Sequence, residues 1–246
     1  MILDLNAKSG LLTWEALRKV PEGGVYSCVR NRTESTALKE QATVLPELLR
    51  PIIITSSLVN LANELAKKDK DLRFDCIIGR NCLALEADKA NIVRELVLWL
   101  NEQGKLVLAE TIPQQSQRLY DLLESDCLSP DLWKKLKQAE EAIYQNKSDP
   151  IVNWNDVNFK QDLEKIGLSV EVELESSSTL MLITPTLLER WFARDRATRS
   201  RPSYRSHLQK VLSVEEIDLV REAFNRHLSN RTISWASTVG YFVAQL

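Results

Sequence analysis

Glycine is scarce in this sequence: only seven glycines occur among 246 residues. A loop that cradles phosphates needs several glycines within a few positions, because its backbone must approach the ligand closely and adopt positive φ angles. No Gly-x-x-x-x-Gly-Lys-[Ser/Thr] sequence occurs in the chain. We therefore expect that this chain does not hydrolyse ATP.

Histidine and cysteine are scarce as well. The chain has two histidines, His207 and His227, and four cysteines without a Cys-x-x-Cys pair. Zinc centres and Cys–His nucleophile pairs draw on these residue types. We therefore expect no metal site and no thiol nucleophile. Cys28 and Cys76 fall within strand-like runs, which is typical of small buried thiols.

The chain lacks a strong excess of either charge and any long apolar run. Its net charge is −2, so the molecule as a whole is not built to coat nucleic acid or an anionic membrane. No apolar run approaches the ~20 residues of a membrane span, and no secretion signal is apparent. We therefore expect a cytoplasmic protein without a membrane partner. Because a strand-like run begins at residue 2, we also expect a domain taken from a longer polypeptide.

Short apolar runs alternate with segments of helical spacing through the first half of the chain. The runs are Ile2–Leu5, Gly24–Val29, Pro51–Thr55, Phe74–Ile78 and Lys105–Ala109. The interval before the last run has apolar residues at helical spacing over Asp88–Leu100. Such alternation predicts an α/β fold with a parallel, doubly wound sheet, because right-handed crossovers place helices on both faces.

A hairpin and a helical tail are predicted for the end of the chain. Ser169–Glu175 alternates apolar and acidic residues and Thr179–Ile183 is apolar, so we expect them to pair as an antiparallel hairpin. The residues after Pro185 read as helical, with a Ser-x-x-Glu capping box at Ser213. The sequence thus predicts an α/β domain over residues 1–185 and a C-terminal helical extension over residues 186–246 that packs on it.

The order of these elements resembles the Rossmann-like S-adenosylmethionine-dependent methyltransferases. The segment Ile2-Leu-Asp4-Leu-Asn6-Ala-Lys8-Ser9-Gly10 lies where that family has hydrophobic-hydrophobic-Asp-x-Gly-x-Gly-x-Gly. The segments 74–81 and 104–109 resemble its fourth-strand and fifth-strand motifs. The resemblance covers roughly residues 1–185 and implies a mostly parallel, Rossmann-like sheet of about seven strands with a terminal antiparallel hairpin. Together with the helical tail predicted above, the expected fold is this sheet plus a C-terminal helical appendage.

The resemblance also implies a cofactor and a site. S-adenosylmethionine would be held where the loops after the first strands converge, with a substrate near the end of the fourth strand. The residues that match cofactor-binding positions are Asp4, Asn6, Ser9, Gly10, Asn31 and Ser57. Asn81, which follows the fourth strand, matches a position where relatives place catalytic polar groups.

The sequence departs from the family pattern in both cofactor loops. Asn6 and Lys8 stand where the motif has its first two glycines, although asparagine tolerates the left-handed backbone region better than most residues. Arg30-Asn31-Arg32 stands where an acidic residue would hold the ribose, and two arginines favour an anion over a sulfonium. Two hypotheses remain: a degenerate, non-catalytic domain and an active methyltransferase. The departures favour the first.

A second resemblance involves the whole chain. The segments 10–16, 109–113, 117–120, 139–144 and 201–204 look like the C-terminal extension found in cyanobacterial fusions, where it follows a replication-associated recombination AAA+ ATPase. The resemblance implies that such an ATPase domain is the partner of this chain, in the same polypeptide or outside it.

The most basic stretch is Arg190–Arg205, in which aromatic residues are interleaved with arginines. This pattern is typical of a contact to phosphates and bases, here through Arg194, Arg199 and Arg201. The alternative is a solvated connector whose aromatic side chains dock on the core, and we favour that alternative.

Overall fold

The computed structural model describes residues 1–195 and 201–246. In that part, seven strands form one sheet. They are β1 (Ile2–Asp4), β2 (Val25–Val29), β3 (Ile52–Thr55), β4 (Phe74–Arg80), β5 (Leu100–Thr111), β6 (Ser169–Ile183) and β7 (Arg231–Gln245). The strand order is β3-β2-β1-β4-β5-β7-β6.

Helices connect the strands and fill the second half of the chain. They are α1 (Leu11–Lys19), α2 (Arg32–Ala42), α3 (Leu58–Lys68), α4 (Lys89–Val97), α5 (Pro130–Tyr144), α6 (Asp156–Lys165), α7 (Pro185–Trp191), α8 (Tyr204–Leu208) and α9 (Val214–Leu228). Within the described residues, no helix combines the length and the apolar character that crossing a membrane requires. The cytoplasmic location stays a prediction.

The parallel half of the sheet is built around β1. Leu3 pairs with Tyr26 of β2 on one side and with Ile77 of β4 on the other, both in parallel register. Leu3 and Ile77 are fully buried in a core that also includes Leu106 of β5. This arrangement confirms the predicted doubly wound, mostly parallel sheet. Because the strand order reverses between β1 and β4, the carboxyl ends of these two strands border the crevice in which such folds bind ligands.

The antiparallel end of the sheet is made from other segments than predicted. Residues 169–175 and 179–183 are not two strands of a hairpin but parts of the single strand β6. Its neighbour is β7, which pairs antiparallel with β5 and occupies a segment predicted to be helical. Side chains in β7 alternate between buried and more exposed from Thr238 to Gln245, which is a strand period and explains why the helical prediction was wrong there.

The chain divides into two compact units. The first comprises residues 1–112, 154–175 and 239–246, and the second comprises residues 113–153 and 176–238. Each has its own apolar core, in which Phe74 is buried in the first unit and Phe224 in the second. The predicted boundary at residue 185 between two domains stays a prediction.

Candidate functional site

The candidate site lies in the first unit, at the carboxyl ends of the parallel strands. A short 3-10 turn, Ala7–Ser9, follows β1 in place of a glycine-rich loop and leads into α1. Gly10 has φ +71°, and a Cβ atom there would collide with the indole ring of Trp14. One glycine is therefore required in this loop, and it stands where the backbone turns into the helix.

Asn6 does not take the left-handed conformation suggested by its sequence position, since its φ is −146°. Its side chain instead bonds to the end of β4. The amide Nδ2 donates to the carbonyl oxygen of Arg80 at 2.9 Å and to that of Asn81 at 3.4 Å. Asn6 thus joins the two strand ends that border the crevice.

Asp4 is fully buried below this loop and serves the fold. Its carboxylate accepts hydrogen bonds from the Thr13 hydroxyl at 2.7 Å and from the backbone N–H of Asn6 at 3.0 Å. The Thr13 hydroxyl also lies 3.0 Å from that of Ser27, so the cluster links β1, α1 and β2. Burial raises the pKa of Asp4, and its hydrogen bonds oppose that rise only in part.

The loop after β2 is held by its own side chains. Asn31 caps α2, with Oδ1 accepting from the N–H of Glu34 at 2.9 Å. The Glu34 carboxylate in turn accepts from the N–H of Arg30 at 2.9 Å. Asn31 and Glu34 together hold the turn that precedes α2. Oδ1 of Asn31, a residue that matches a cofactor-binding position, is therefore engaged as a helix cap.

Arg30 reaches from the end of β2 to the loop after β4. Its guanidinium donates to the carbonyl oxygen of Cys82 at 3.0 Å and lies 4.0 Å from the carboxylate of Glu86. Because β1 lies between β2 and β4, this side chain bridges strand ends on either side of β1. No pattern in the sequence identified Arg30 as a bridge, since its two contacts are more than fifty residues away.

Asn81 and Ser57 also have local structural roles. Asn81 sits in the left-handed region with φ +45°, and its Oδ1 accepts from the N–H of Thr111 at 2.8 Å, which ties the end of β4 to β5. Ser57 begins α3 without a side-chain capping bond, and its carbonyl oxygen accepts from the Ser56 hydroxyl at 2.9 Å. Ser57 is exposed.

Glu110 is a buried carboxylate near the end of β5. One of its oxygens accepts from the N–H groups of Cys82 at 2.8 Å and Leu83 at 3.2 Å and from the Cys82 thiol at 3.3 Å. The other, Oε2, has no hydrogen-bond partner among the described residues. Burial raises the pKa of Glu110. The one signal in the sequence is an acidic residue directly after the apolar run of the fifth strand.

A cleft of about 410 Å³ opens where these loops meet. It is lined by Asn6, Lys8, Ser9, Leu11, Leu12, Arg80 and Asn81. The structure thus brings together three of the predicted site residues, while Asp4 and Gly10 are buried beside the cleft and Asn31 and Ser57 lie outside its lining. The charged groups among these lining residues, Lys8 and Arg80, are both positive. Among the described residues, no group of three or more His, Cys, Asp or Glu side chains could hold a metal ion.

The described residues of the basic stretch, 190–195 and 201–205, belong to the second unit. Arg201 forms an ion pair with Asp149, and Arg194 is exposed. Arg199 lies outside the described residues. Phe192 is buried, and the partly buried Tyr204 donates its hydroxyl to the buried Glu140 at 2.6 Å. The nucleic-acid contact stays a prediction.

No protein family matches the sequence, and no curated protein sequence matches it. Solved structures do match. A candidate methyltransferase from Bacillus halodurans C-125 is 13% identical, with a TM-score of 0.50 over 99% of this chain and 90% of that chain. YcgJ from Bacillus subtilis is 12% identical, with a TM-score of 0.51 over 99% and 90%.

A third match carries an activity in its name. It is the arsenic(III) S-adenosylmethionine methyltransferase of Chlamydomonas reinhardtii, 14% identical, with a TM-score of 0.51 over 98% of this chain and 62% of that one. The present chain has the methyltransferase fold. At this level of identity the likeness extends to the fold alone, so the chemistry must be argued from the residues at the carboxyl edge.

Proposed function

We propose that this chain is a degenerate, non-catalytic methyltransferase-fold domain that acts as an interaction module of a replication and recombination AAA+ ATPase. The observation that carries the first half of the proposal is the set of bonds across the carboxyl edge. Asn6 joins the loop after β1 to the end of β4, and Arg30 joins the end of β2 to the loop after β4. Both side chains thus donate to backbone carbonyl oxygens at or just after the end of β4.

S-adenosylmethionine does not fit the residues present. Its sulfonium is positive, whereas Lys8 and Arg80 line the cleft and give it the same sign of charge. Rossmann-like sites hold the ribose hydroxyls with a carboxylate after the second strand. Here that place is taken by Arg30 and Asn31, and Oδ1 of Asn31 is already occupied as a helix cap. Both features weigh against cofactor binding.

Calorimetry tests this half of the proposal. We expect no saturable heat when S-adenosylmethionine or S-adenosylhomocysteine is titrated to millimolar concentration into the full chain, while an active methyltransferase of the same fold binds from the same stocks. Micromolar binding by this chain would overturn the proposal. A double variant, Asn6→Gly with Arg30→Asp, removes both bridges and supplies a carboxylate. A gain of binding in that variant would support the view that these side chains close the site.

The alternative function is an active methyltransferase with an unidentified substrate. It is favoured by the cleft of about 410 Å³ beside Asn81, at the crevice where this fold binds ligands. Asn81 would then stand next to the substrate, and Asp4, Ser9 and Gly10 would support the cofactor loop. Transfer of a labelled methyl group to any small-molecule or protein acceptor, abolished by Asn81→Ala, would establish it.

The ATPase partner is proposed from the sequence resemblance. Purified recombination ATPase from the same genome should retain this chain in biolayer interferometry, and an unrelated AAA+ ATPase should not. Equal retention by both would count against the pairing.

Nucleic acid is proposed as a further partner, through Arg194, Arg199 and Arg201. Binding of a labelled single strand should weaken when Arg199 and Arg201 are both changed to Glu, since phosphate contacts depend on positive charge. An unchanged affinity would end this part of the proposal. Arg201 would have to leave Asp149 in order to bind a phosphate.

A further inference from the structure

A larger pocket lies at the opposite edge of the sheet from the candidate site. It has a volume of about 550 Å³ and is bordered by α1, by the loop that leads into Val25 at the start of β2, and by the segment after α2. Ligand sites in proteins are typically concave, mostly apolar and of about 300–1,000 Å³. The pocket has these properties and plays no part in the function proposed above.

The walls of this pocket are apolar side chains, several of which are exposed to solvent. Trp14 and Leu17 come from α1, and Val44, Leu45 and Leu48 come from the segment after α2. Leu48 is 98% exposed and Val44 is 85% exposed. A hydrocarbon placed between these walls would remove apolar surface from water, and such burial contributes about 25 cal/mol per Å².

The charged groups at the pocket have one sign. Among the described lining residues, the two that carry a charge are Arg18 and Arg50. Arg18 is balanced by Glu15, whose carboxylate accepts from its Nε at 2.9 Å. Arg50 donates to the carbonyl oxygens of Leu45 at 3.0 Å and Thr43 at 3.4 Å, and these partners carry no negative charge. Among the described residues, Arg50 thus has no carboxylate partner in an ion pair, and its positive charge lies beside an apolar pocket.

We propose that this pocket binds an amphiphilic monoanion, an aliphatic or aromatic carboxylate. Its hydrocarbon part lies between the walls formed by Trp14 and Leu48, and its carboxylate pairs with Arg50. A neutral ligand of the same shape would not pair with Arg50. A short carboxylate would leave the apolar side chains of the pocket exposed to solvent. The two features together select a molecule that has both parts.

Ligand-observed NMR titration with octanoate on the full chain tests this proposal, with octanol and acetate as the neutral and the short analogues. We expect saturable binding of octanoate and at least tenfold weaker binding of both analogues. Arg50→Gln should weaken octanoate binding at least tenfold, which corresponds to about 1.4 kcal/mol, because the carboxylate loses its charged hydrogen-bond donor. Arg50→Lys should retain most of the affinity because it keeps the charge.

A pair of exposed leucines provides the matched control. Leu48→Glu places a negative charge on the pocket wall and should abolish binding. Leu98→Glu makes the same change at a 60% exposed leucine outside the lining and should leave binding unchanged. Both positions are solvated, so both variants should fold. The proposal is overturned if octanoate fails to saturate at millimolar concentration, if octanol binds equally well, or if Leu48→Glu and Leu98→Glu bind alike.

Discussion

Asn6 and Arg80 are joined across the carboxyl edge of the sheet, with Nδ2 of Asn6 lying 2.9 Å from the carbonyl oxygen of Arg80. The two residues are 74 positions apart in the sequence. In a cofactor loop, the position of Asn6 would be a glycine that lets a ligand approach the backbone. Here the Asn6 side chain instead bonds to the end of β4, so a side chain of the protein bridges the crevice between β1 and β4.

Replacing Asn6 with Ala should therefore weaken the fold. We expect Asn6→Ala to lower the free energy of unfolding by about 1 kcal/mol, because the bonds from Nδ2 to the end of β4 are lost. Urea unfolding measures the change. The control is Asn91→Ala, which removes an exposed contact of 3.3 Å to Arg94 and should change stability by less than about 0.5 kcal/mol. Equal costs in the two variants would contradict the bridging role of Asn6.

Gly10 and Gly167 form a matched pair for testing the loop before α1. Both have positive φ, +71° and +93°, so alanine at either position should cost about 1–2 kcal/mol in backbone strain. At Gly10 the added Cβ also meets Trp14, whereas at Gly167 it meets nothing within 4 Å. We expect Gly10→Ala to be the more destabilising by about 1–3 kcal/mol, the usual range for overpacking.

The same substitutions in a Trp14→Ala variant show whether contact with the Trp14 indole causes the larger cost of Gly10→Ala. There, Gly10→Ala should cost no more than Gly167→Ala does in the original chain, as measured by urea unfolding. If the larger cost of Gly10→Ala persists without the indole, the collision with Trp14 is not its source.

Much of the parallel half of the fold could be predicted from the sequence, because β1 to β4 are short apolar runs bounded by turns. The fifth strand is longer than its apolar run, Lys105–Ala109, since β5 begins at Leu100. The antiparallel end could not. Ser176-Ser-Ser178 looks like a turn, yet the chain continues through it as strand β6, and Ser176 pairs its hydroxyl with Thr238 at 2.9 Å. That partner is 62 positions away, and local pattern carries no information on it.

The sequence indicated where the candidate site would lie, but it did not indicate the hydrogen bonds that its side chains make. Strand ends and the position of Asp4 follow from the motif order, and the departures at Asn6 and Arg30 were visible. The direction of each side chain was not, because it depends on acceptors such as the carbonyl oxygen of Cys82 that only the folded chain brings near. Residue types at a loop thus indicate a departure from the family pattern more readily than they indicate the contacts that the substituted side chains make.

Tyr204 tests whether the aromatic residues of the basic stretch belong to a core. Its hydroxyl donates to Oε2 of the buried Glu140 at 2.6 Å. We expect Tyr204→Phe to lower the free energy of unfolding by about 1 kcal/mol, since the buried carboxylate of Glu140 loses one hydrogen bond while its Oε2 keeps the bond from the N–H of Tyr120. Tyr241→Phe removes an exposed hydroxyl 2.9 Å from Glu175 and should have a much smaller effect. If Tyr204→Phe leaves the free energy of unfolding in urea unchanged, a solvent-facing tyrosine that can contact nucleic-acid bases is favoured instead.

Glu110 should make the free energy of unfolding depend on pH, and one substitution isolates its contribution. Burial raises its pKa in the folded chain above the ordinary value of an unfolded glutamate. The folded state then binds more protons than the unfolded state between those two pKa values, so stability falls as pH rises through that window. Glu110→Gln keeps an acceptor for the N–H groups of Cys82 and Leu83 but cannot ionise.

The difference in unfolding free energy between the original chain and Glu110→Gln should therefore change with pH in one direction. It should be most favourable to the original chain below the ordinary glutamate pKa, should decline as pH rises through the raised pKa, and should be constant above it. Urea unfolding at a series of pH values measures this difference, and other groups such as Glu140, whose pKa burial also raises, cancel because both proteins contain them. A difference that stays flat from acid to neutral pH would mean that Glu110 titrates as it does in the unfolded chain.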